Sequence, residues 1–503
     1  MQTYEQVAPA ALPMAAARLY NHGERPLTAM FANDERTING TMAIYCIFAD
    51  SRQGRYQTVK VSLAEQPWQF PSLVSITPAA AWYEREIHDL FGIIPVGHPD
   101  LRPLVLHENW PEGLYPLRKD FRTEILVPVA NREYVLPAVK GEGIFEVPVG
   151  PIHAGIIEPG HFRFSQAGEH MIKLEAKLFF THRGIEKSVE GIPLERAFYQ
   201  IERICGACTV SHAWSFSQAI ERLAQMTISR QAQYIRVLAA ELERLYNHVG
   251  DTGNLCAGMG FAVGISQGSR LKEILMNLNE RLAGNRFLRG IITPGGVNIC
   301  LTKAIADDIL ATLATVEKEF IQLVELLQDS EAFADRVNTT GVLSHQAALE
   351  LAVVGVAARA SGVNCDSRRD FAYGVYGELD FKVPVYTTGD VAARLWVRVE
   401  EVQQSMSMIR QVLSAMPGSQ EKSKEAIEPL VPYTYGMGWS ESARGQNIHW
   451  VMVGENNEIY RLFVRSASYP NWPAVTVAAI GNIIPDFPLI NKSFELCYAC
   501  IDR

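Results

Sequence analysis

Two stretches of this sequence, RICGACTVSH at residues 203–212 and FELCYACIDR at residues 494–503, each contain a C-x-x-C pair. The three-residue step lets one turn or helix start bring both sulfurs to a single metal ion. Cys205 and Cys208 stand just before the amphipathic segment SHAWSFSQAIERLAQM, which predicts that they lie at a helix N-terminus. The partial positive charge there lowers thiol pKa values and favours the thiolate that binds metal.

The second pair, Cys497 and Cys500, can complete a four-thiolate site with the first. A structural zinc site is one interpretation, but its two halves usually lie only tens of residues apart. A thioredoxin-like redox pair needs one C-x-x-C motif in a βαβ unit, which neither pair has. Inert buried thiols would not fall into two matched pairs. We therefore expect a catalytic metal centre, for which thiolates favour nickel, iron or copper(I).

The composition excludes several classes of protein. The 503 residues are 48% hydrophobic and 20% charged, which is typical of a soluble globular protein of two or three domains. No apolar run reaches the roughly 18–20 residues of a membrane span, and no signal peptide is predicted. The net charge of −9 argues against a nucleic-acid-binding protein. Eight cysteines in such a chain indicate a reducing compartment, by default the cytoplasm.

The predicted fold class is α+β, beginning with an α/β domain over residues 1–125. TMAIYCIFAD and YQTVKVSLA are predicted strands, and PSLVSITPAAAWYEREIHDLFGI is predicted to form a strand, a turn and an amphipathic helix. A proline-rich stretch before LRKDF predicts an extended arm lying over a neighbouring part of the protein. Residues 126–145 are the expected linker.

Residues 146–503 are predicted to form a mainly helical domain with β flanks. FEVPVGPIH, HFRFSQAG and MIKLEAKLFF have strand character, and TTGDVAARLWVRVEEVQQSMSMIRQVL predicts a long helix with a Thr-Gly-Asp start. The last 70 residues are expected to return to strands before the second cysteine pair. Apolar side chains recur at helical spacing in two further segments, at Ile235, Leu238, Leu242 and Leu245, and at Leu310, Leu313, Val316, Phe320 and Leu323.

Four motifs resemble those of one enzyme family. RICGACTVSH is similar to the R-x-C-G-x-C-x-x-x-H motif of the [NiFe]-hydrogenase large subunit, and CYACIDR to its C-terminal C-x-x-C-x-x-H/R motif. Between them, HRGIEK resembles the family's R-G-x-E motif and ESARGQNIHW its A-R-G motif. Because all four motifs occur in the same order with all four cysteines, the chain is identified as a member of this family.

Further motifs narrow the resemblance. EREIHDLFGI, HPDLRPL and YPLRKDF resemble the 30-kDa subunit of respiratory complex I, whereas GPIHAG, TPGGVN, ARASGVNCD and DFKVPVYTTGD resemble its 49-kDa subunit. A fusion of the two that keeps four cysteines is similar to the large subunit of group 4 membrane-bound hydrogenases, of the formate hydrogenlyase type (hydrogenase-3 or hydrogenase-4). The resemblance implies an N-terminal α/β domain followed by a mainly helical hydrogenase large-subunit domain.

The resemblance also implies ligands for a NiFe(CN)2CO centre. Cys205 and Cys497 would be terminal nickel ligands, and Cys208 and Cys500 would bridge nickel to an iron that carries CO and cyanide. Heterolytic chemistry of H2 needs a Lewis-acidic metal and a nearby base for the proton.

Two charged residues would serve that chemistry. Arg444, in ARGQ, is implied as a guanidinium poised over the metals, with a surface salt bridge as the alternative. Glu158, in IIEPGHFRF, is implied as the proton-transfer glutamate, although an intervening proline also permits a plain strand-end carboxylate. Nearby His153 and His161 would extend a proton path outward.

Two more residues would lie behind the ligands. Glu186, in RGIE, is implied as a ligand for Mg2+ or Fe2+, and His212 as a donor toward the diatomic ligands; a solvated carboxylate and a core histidine are the alternatives. Two departures stand out: Glu495-Leu496 replaces a common Asp-Pro, and Arg503 replaces a common histidine ligand. Arginine is a poor metal ligand, which counts against the metal at Glu186.

The resemblance finally implies an assembly. The chain has no spare cysteine cluster for electron transfer, so it would need a small subunit with a proximal [4Fe–4S] cluster. Ferredoxin-like iron–sulfur subunits, membrane subunits related to complex I and formate dehydrogenase would be further partners, and no nucleic acid is expected. Residues 1–125 contain no catalytic constellation and are expected to form a docking domain, with the complex on the cytoplasmic face of the inner membrane.

The implied function is reversible reduction of protons to H2 with electrons from formate oxidation. The chief rival is a complex I-like quinone-binding subunit without nickel, but such subunits have generally lost the four cysteines. A non-catalytic assembly scaffold would not need Arg444 and Glu158. Because relatives lose a C-terminal extension after nickel insertion, a chain that stops at Arg503 is expected to be the processed form.

Overall fold

A computed structural model describes residues 2–153, 157–417 and 424–503. The end of the GPIHAG motif, at residues 154 and 155, lies outside this part of the chain. The fold is α+β, as the sequence predicts.

The N-terminal part is built on a four-stranded sheet of order β1-β4-β3-β2, in which only β1 and β4 are parallel. Helix α1 packs on β4 and helix α3 on β2. A short parallel pair, β5 and β6, stands beside the sheet. The elements are β1 Gln2–Val7, α1 Leu12–Tyr20, β2 Leu27–Glu35, α2 Arg36–Asn39, β3 Thr41–Asp50, β4 Arg55–Leu63, β5 Gln69–Pro71, α3 Ala80–Phe91 and β6 Ile94–Val96.

Residues 97–143 contain neither helix nor strand and run over the surface of the same chain. Asp89 of α3 holds the arm by accepting hydrogen bonds from the backbone N–H groups of Leu104 and Val105 (2.7 and 2.9 Å). Further along, the imidazole of His107 lies 2.8 Å from the carbonyl of Leu178. The proline-rich segment is thus an extended arm, as predicted from its sequence.

The larger part contains a helical core between two antiparallel sheets, β7-β8-β9 and β12-β13-β14. None of its described helices combines the length and apolar character that a bilayer crossing requires. The strands are β7 Ile144–Val149, β8 His161–Ala167, β9 His170–Lys177, β10 Ile292–Thr293, β11 Gly296–Val297, β12 Tyr435–Ser442, β13 Gly445–Val453 and β14 Ile459–Arg465. The helices are α4 Ile185–Ser188, α5 Leu194–Ile201, α6 Thr209–Leu223, α7 Arg230–Ala257, α8 Ala262–Ala283, α9 Lys303–Gln328, α10 Glu331–Val337, α11 His345–Glu350, α12 Gly355–Ala360, α13 Ser367–Asp370, α14 Val391–Ala415, α15 Ser468–Ala478, α16 Phe487–Phe494 and α17 Tyr498–Asp502.

Helix α6 lies unusually close to strand β12. A side chain at Gly438 would come within 1.9 Å of the carbonyl of Ser215, and one at Gly436 within 2.2 Å of the carbonyl of Ala219. These contacts hold α6 against the β12-β13-β14 sheet because only glycine leaves room for the helix backbone. The close packing determines where Cys208, at the start of α6, is placed.

One hydrophobic core runs through both parts of the chain. Strands β2 and β3 are buried on both faces, because the β12-β13-β14 sheet covers the face opposite the helices. Phe31 stacks on Phe463 with ring centroids 4.2 Å apart, and Tyr45 packs on Trp450 at 5.1 Å. Residues 1–125 are therefore packed into the molecule. Their expected role in docking to other subunits stays a prediction.

Two local predictions were wrong, and a third was correct only in part. The strand expected after Pro71 is a turn, because Glu84 of α3 accepts hydrogen bonds from Ser72 and Leu73 (both 2.6 Å). On α9 the buried position is Ile309 and not Leu310, which is 39% exposed. The predicted return to strands in the last 70 residues is confirmed by β12, β13 and β14, but three helices follow, so the second cysteine pair belongs to a helical segment.

Candidate metal centre

The four cysteines of the two C-x-x-C pairs converge on one point. The sulfur atoms of Cys205, Cys208, Cys497 and Cys500 all lie within 4.8 Å of one another, and all but the half-buried Cys497 are buried. Within the described part of the chain, no other group of histidine, cysteine and acidic side chains is placed to hold a metal ion. Four soft donors this close together fit a nickel–iron group.

Each pair lies at the start of a helix. Cys208 is the N-cap of α6 and Cys497 the N-cap of α17, so the prediction for the first pair is correct. Arg183, in the loop before α4, joins the two: its Nη2 donates to the carbonyls of Ile204 (2.7 Å) and Ala499 (2.8 Å). The four-cysteine cluster therefore forms only when the segment before α6 meets the C-terminal segment of the chain.

The close approach of the four sulfurs shifts the pKa values of three of the cysteines. The pKa of Cys205 lies well below its ordinary value, because the thiols of Cys208, Cys497 and Cys500 are placed to donate hydrogen bonds to its sulfur. The same bonds raise the pKa values of Cys208 and Cys500, which act as donors. The cluster thus favours a thiolate at Cys205, which is the form that binds a metal ion.

His212 of α6 lies directly behind Cys500. Its Nε2 is 3.5 Å from the sulfur, and its Nδ1 is 3.0 Å from Nε2 of His449 on β13. Burial lowers the pKa of His212 to about 3 and that of His449 well below its ordinary value, so both rings are neutral. A neutral His212 can donate one hydrogen bond toward the site, which is compatible with the role that the resemblance implies.

Arg444 lies in the turn between β12 and β13 and is 7% exposed. Asp251 of α7 binds its two terminal nitrogens (2.8 and 3.0 Å), and its Nε donates to the carbonyl of Glu495 (2.7 Å). Burial opposes the guanidinium charge, but Asp251 and then Cys497 outweigh it and raise the pKa. The guanidinium is therefore buried near the sulfurs, and Arg444 does not form the surface salt bridge that was the alternative interpretation.

Glu158 lies in the loop before β8 and is half-buried. Burial raises the pKa of its carboxyl group, and the neighbouring sulfur of Cys497 adds to the shift. His153 and His161 each direct a ring nitrogen at a backbone carbonyl, of Gly160 (2.6 Å) and Gly150 (3.3 Å). Glu158 thus stands beside a cysteine, whereas a proton path through the two histidines stays a prediction.

The expected Mg2+ or Fe2+ at Glu186 does not fit the residues present. Both carboxylate oxygens are taken: Oε1 accepts from the N–H of Val464 and pairs with Nε of Arg503 (both 3.0 Å), and Oε2 pairs with Arg461 (2.7 Å). Two guanidinium groups already neutralise the anion and would repel a dication. The adjoining cavity, lined by His182 among others, measures about 30 Å3, room for one water molecule.

Helix α7 supplies site residues that sequence reasoning missed. Glu243 accepts from the N–H groups of Val210 (2.6 Å) and Ser211 (3.1 Å), which caps α6 in place of the cysteine at its N-cap. One turn on, Asn247 donates to the carbonyl of Ala207, between the first two cysteines (2.7 Å).

The same face of α7 continues to the second cysteine pair. Asp251 binds Arg444, and Asn254 donates to Glu495 (2.6 Å), two residues before Cys497. Steps of four, four and three residues place Glu243, Asn247, Asp251 and Asn254 in one row. This row of polar side chains on a largely buried helix is the feature of the sequence that could have identified these site residues.

Three family models match the chain. Residues 5–125 match the respiratory-chain NADH dehydrogenase 30 Kd subunit, and residues 259–437 and 427–503 match the 49 Kd subunit. Residues 183–257, which contain the first cysteine pair and all of α7, match the nickel-dependent hydrogenase model. The two cysteine pairs therefore fall in segments that match different models.

Curated relatives align over most of their length. Formate hydrogenlyase subunit 5 of Escherichia coli (strain K12) is 34% identical over 501 residues, which is 98% of this chain and 87% of that protein. Hydrogenase-4 component G of the same strain is 34% identical over 520 residues, 100% of this chain and 89% of that protein. An NADH-quinone oxidoreductase protein of Phocaeicola vulgatus is 29% identical over 476 residues, 90% of each chain.

Proposed function

As the chain belongs to the large-subunit family of group 4 membrane-bound [NiFe]-hydrogenases, we propose that it catalyses the reversible reduction of protons to H2. The family is of the formate hydrogenlyase type and fuses regions related to the 30-kDa and 49-kDa subunits of complex I. The relatives make the chain part of an oxidoreductase family. Hydrogenase activity of this chain is the further step that we propose.

The observation that carries the proposal is the convergence of four cysteine sulfurs within 4.8 Å. By the resemblance, Cys205 and Cys497 would hold nickel alone, and Cys208 and Cys500 would hold both nickel and an iron with CO and cyanide. This group would supply a Lewis-acidic, redox-active metal pair. A quinone-binding subunit without metal gives no physical reason for four thiols to share one pocket.

The chain's own side chains supply charge and proton transfer. The guanidinium of Arg444, held by Asp251, puts a fixed positive charge against the sulfurs without accepting a proton itself. The carboxylate of Glu158 holds the proton that passes between the side of Cys497 and the solvent. His212 directs one N–H toward the site.

Electrons would reach this chain from formate oxidation through a small subunit with a proximal [4Fe–4S] cluster and ferredoxin-like subunits. Membrane subunits related to complex I would place the complex on the cytoplasmic face of the inner membrane. The names of the E. coli relatives, which refer to formate hydrogenlyase and hydrogenase-4, support this assignment.

Metal analysis and infrared spectroscopy of the purified complex test the proposal. We expect one nickel per chain, infrared bands of CO and cyanide, and formate-driven H2 production. Cys205→Ser should remove all three, whereas Cys46→Ser, at a fully buried cysteine of β3 outside the cluster, should remove none. Stoichiometric zinc without nickel, or quinone reduction by a nickel-free complex, would contradict the proposal.

A further inference from the structure

We propose that Glu86, from the N-terminal part of the chain, is a positioning residue of the metal centre that acts through Arg503. Glu86 lies on α3, within the EREIHDLFGI motif, and is 5% exposed. Its carboxylate forms an ion pair with Nη2 of Arg503, three residues after Cys500. The inference rests on the proposed function only in assuming that the cysteines hold a metal group.

Each of the three side-chain nitrogen atoms of Arg503 has a partner. Besides Glu86, its Nε pairs with Glu186 (3.0 Å) and its Nη1 donates to the carbonyl of Val464 (2.6 Å). The guanidinium also lies between two aromatic rings, 5.3 Å from Tyr469 and 5.7 Å from Phe463. The side chain is 3% exposed, so each partner is needed to hold the charge away from water.

Besides the Glu86 carboxylate, helix α3 brings aromatic side chains to this end of the chain. Tyr83 stacks on Tyr469 with centroids 5.0 Å apart, and Trp82 meets the same ring edge-on at 5.7 Å. Consecutive residues of α3 thus hold the aromatic wall, and Glu86 one turn later holds the cation against it. The N-terminal part therefore contributes to the surroundings of the second cysteine pair.

The contact reaches the cysteines by two routes. Through the backbone, Arg503 directly follows α17, whose N-cap is Cys497 and which contains Cys500. The second route is electrostatic: the positive charge of Arg503 lowers the pKa of His449, and His449 contacts His212 beside the sulfur of Cys500. Loss of the Glu86 charge would free the helix end and leave more positive charge behind the sulfurs.

Glu84 is a matched control on the same helix. It is buried like Glu86, but its hydrogen bonds go to Ser72 and Leu73, within the N-terminal part. Glu86→Gln and Glu84→Gln therefore remove a carboxyl group from the same helix, and only the first touches Arg503. Glu86→Asp keeps the charge, but its shorter side chain cannot hold Arg503 at the same place, so it should show the same changes as Glu86→Gln at a smaller size.

The test compares these variants in the purified complex by hydrogen exchange, nickel content and infrared spectroscopy. In Glu86→Gln we expect at least tenfold faster exchange of the amides of α17, at least threefold less nickel per chain, and a shift of the CO band to higher wavenumber in the chains that keep nickel. Glu84→Gln should leave all three at wild-type values.

The outcomes separate the two proposals. If wild type lacks nickel and diatomic bands, the proposed function fails, while the exchange of α17 still tests the ion pair. If Glu86→Gln matches wild type in exchange and in the CO band, the role of Glu86 is overturned. If Glu86→Gln does not accumulate, Glu86→Asp decides: an unshifted band and unchanged exchange overturn the inference.

Discussion

Asp251 and Arg444 lie 193 residues apart in the chain and form a buried bidentate ion pair of 2.8 and 3.0 Å beside the cysteine sulfurs. The aspartate comes from α7 and the arginine from a β-turn, so the pair joins a helix to the β12-β13-β14 sheet. Because Nε of Arg444 also donates to the carbonyl of Glu495, these hydrogen bonds together hold the guanidinium in one orientation. Its position is the basis of the first prediction.

Arg444→Lys keeps the positive charge but cannot form the bidentate pair with Asp251. We expect H2 turnover to fall on the order of 10²-fold, because a charge placed for the reacting groups is displaced, while nickel content stays normal. Arg236→Lys is the control, since it breaks a similar buried bidentate pair with Glu221 away from the cysteines. Equal turnover in wild type and Arg444→Lys would contradict the assigned role.

Glu158→Gln preserves the shape of the side chain but cannot carry a proton. We expect nickel content to stay at the wild-type level while H2 production and H/D exchange are largely abolished. The control is Glu146→Gln, at a carboxylate of β7 that pairs with Arg163. Exchange at a near wild-type rate in Glu158→Gln would mean that the proton leaves by another route.

Asn247→Ala removes the hydrogen bond that α7 donates to the carbonyl of Ala207, between the first two cysteines. Loss of this half-buried hydrogen bond costs about 1 kcal/mol and loosens the loop. We expect less nickel per purified chain, measured by metal analysis. Asn279→Ala removes a comparable amide on α8, whose partner is the carbonyl of Arg286, and should leave nickel content unchanged.

Glu186 should bind no divalent cation, because Arg461 and Arg503 neutralise its carboxylate. The purified complex incubated with Mn2+, a paramagnetic substitute for Mg2+, should show no anomalous scattering peak at Glu186. Arg503→Met removes one of the two guanidinium groups and is the variant in which a cation would first gain access. A peak at Glu186 in the wild type would contradict this prediction.

Burial raises the pKa of Glu84 from its ordinary value of 4.5 to about 7. A raised pKa means that the folded state binds the proton more tightly, so this stabilisation is complete below pH 4.5 and is lost as the pH rises through 7. The loss amounts to about 3 kcal/mol. Glu84→Gln stays neutral, so the free energy of unfolding should fall less between pH 4.5 and 7.5 than in wild type, as measured by urea denaturation.

Much of the architecture was predictable from local patterns. The spacing of Ile235, Leu238, Leu242 and Leu245 predicts a helix, and all four are buried on α7. The Thr-Gly-Asp start of α14 is confirmed, with Asp390 accepting from the N–H of Ala393. Such features are local because helix periodicity and capping involve residues only a few positions apart.

Predictions failed where distant residues compete for one position. The segment after Pro71 has strand composition, but Glu84 binds its backbone and forms a turn. Helix α9 offers both Ile309 and Leu310 as apolar residues, and packing buries the first. Neither outcome can be found in a short window, because the deciding partner lies elsewhere in the chain.

The amino-acid sequence by itself determined which four cysteines come together, because two C-x-x-C pairs and their flanking motifs single them out as donors without reference to the fold. Only the tertiary structure decided what surrounds those donors. It aligned Asp251 with Arg444, and it set Arg503 between Glu186 and the distant Glu86. The physical reason is that a buried charge must find opposite charge within a few ångströms, and packing of the whole chain decides which residue provides it.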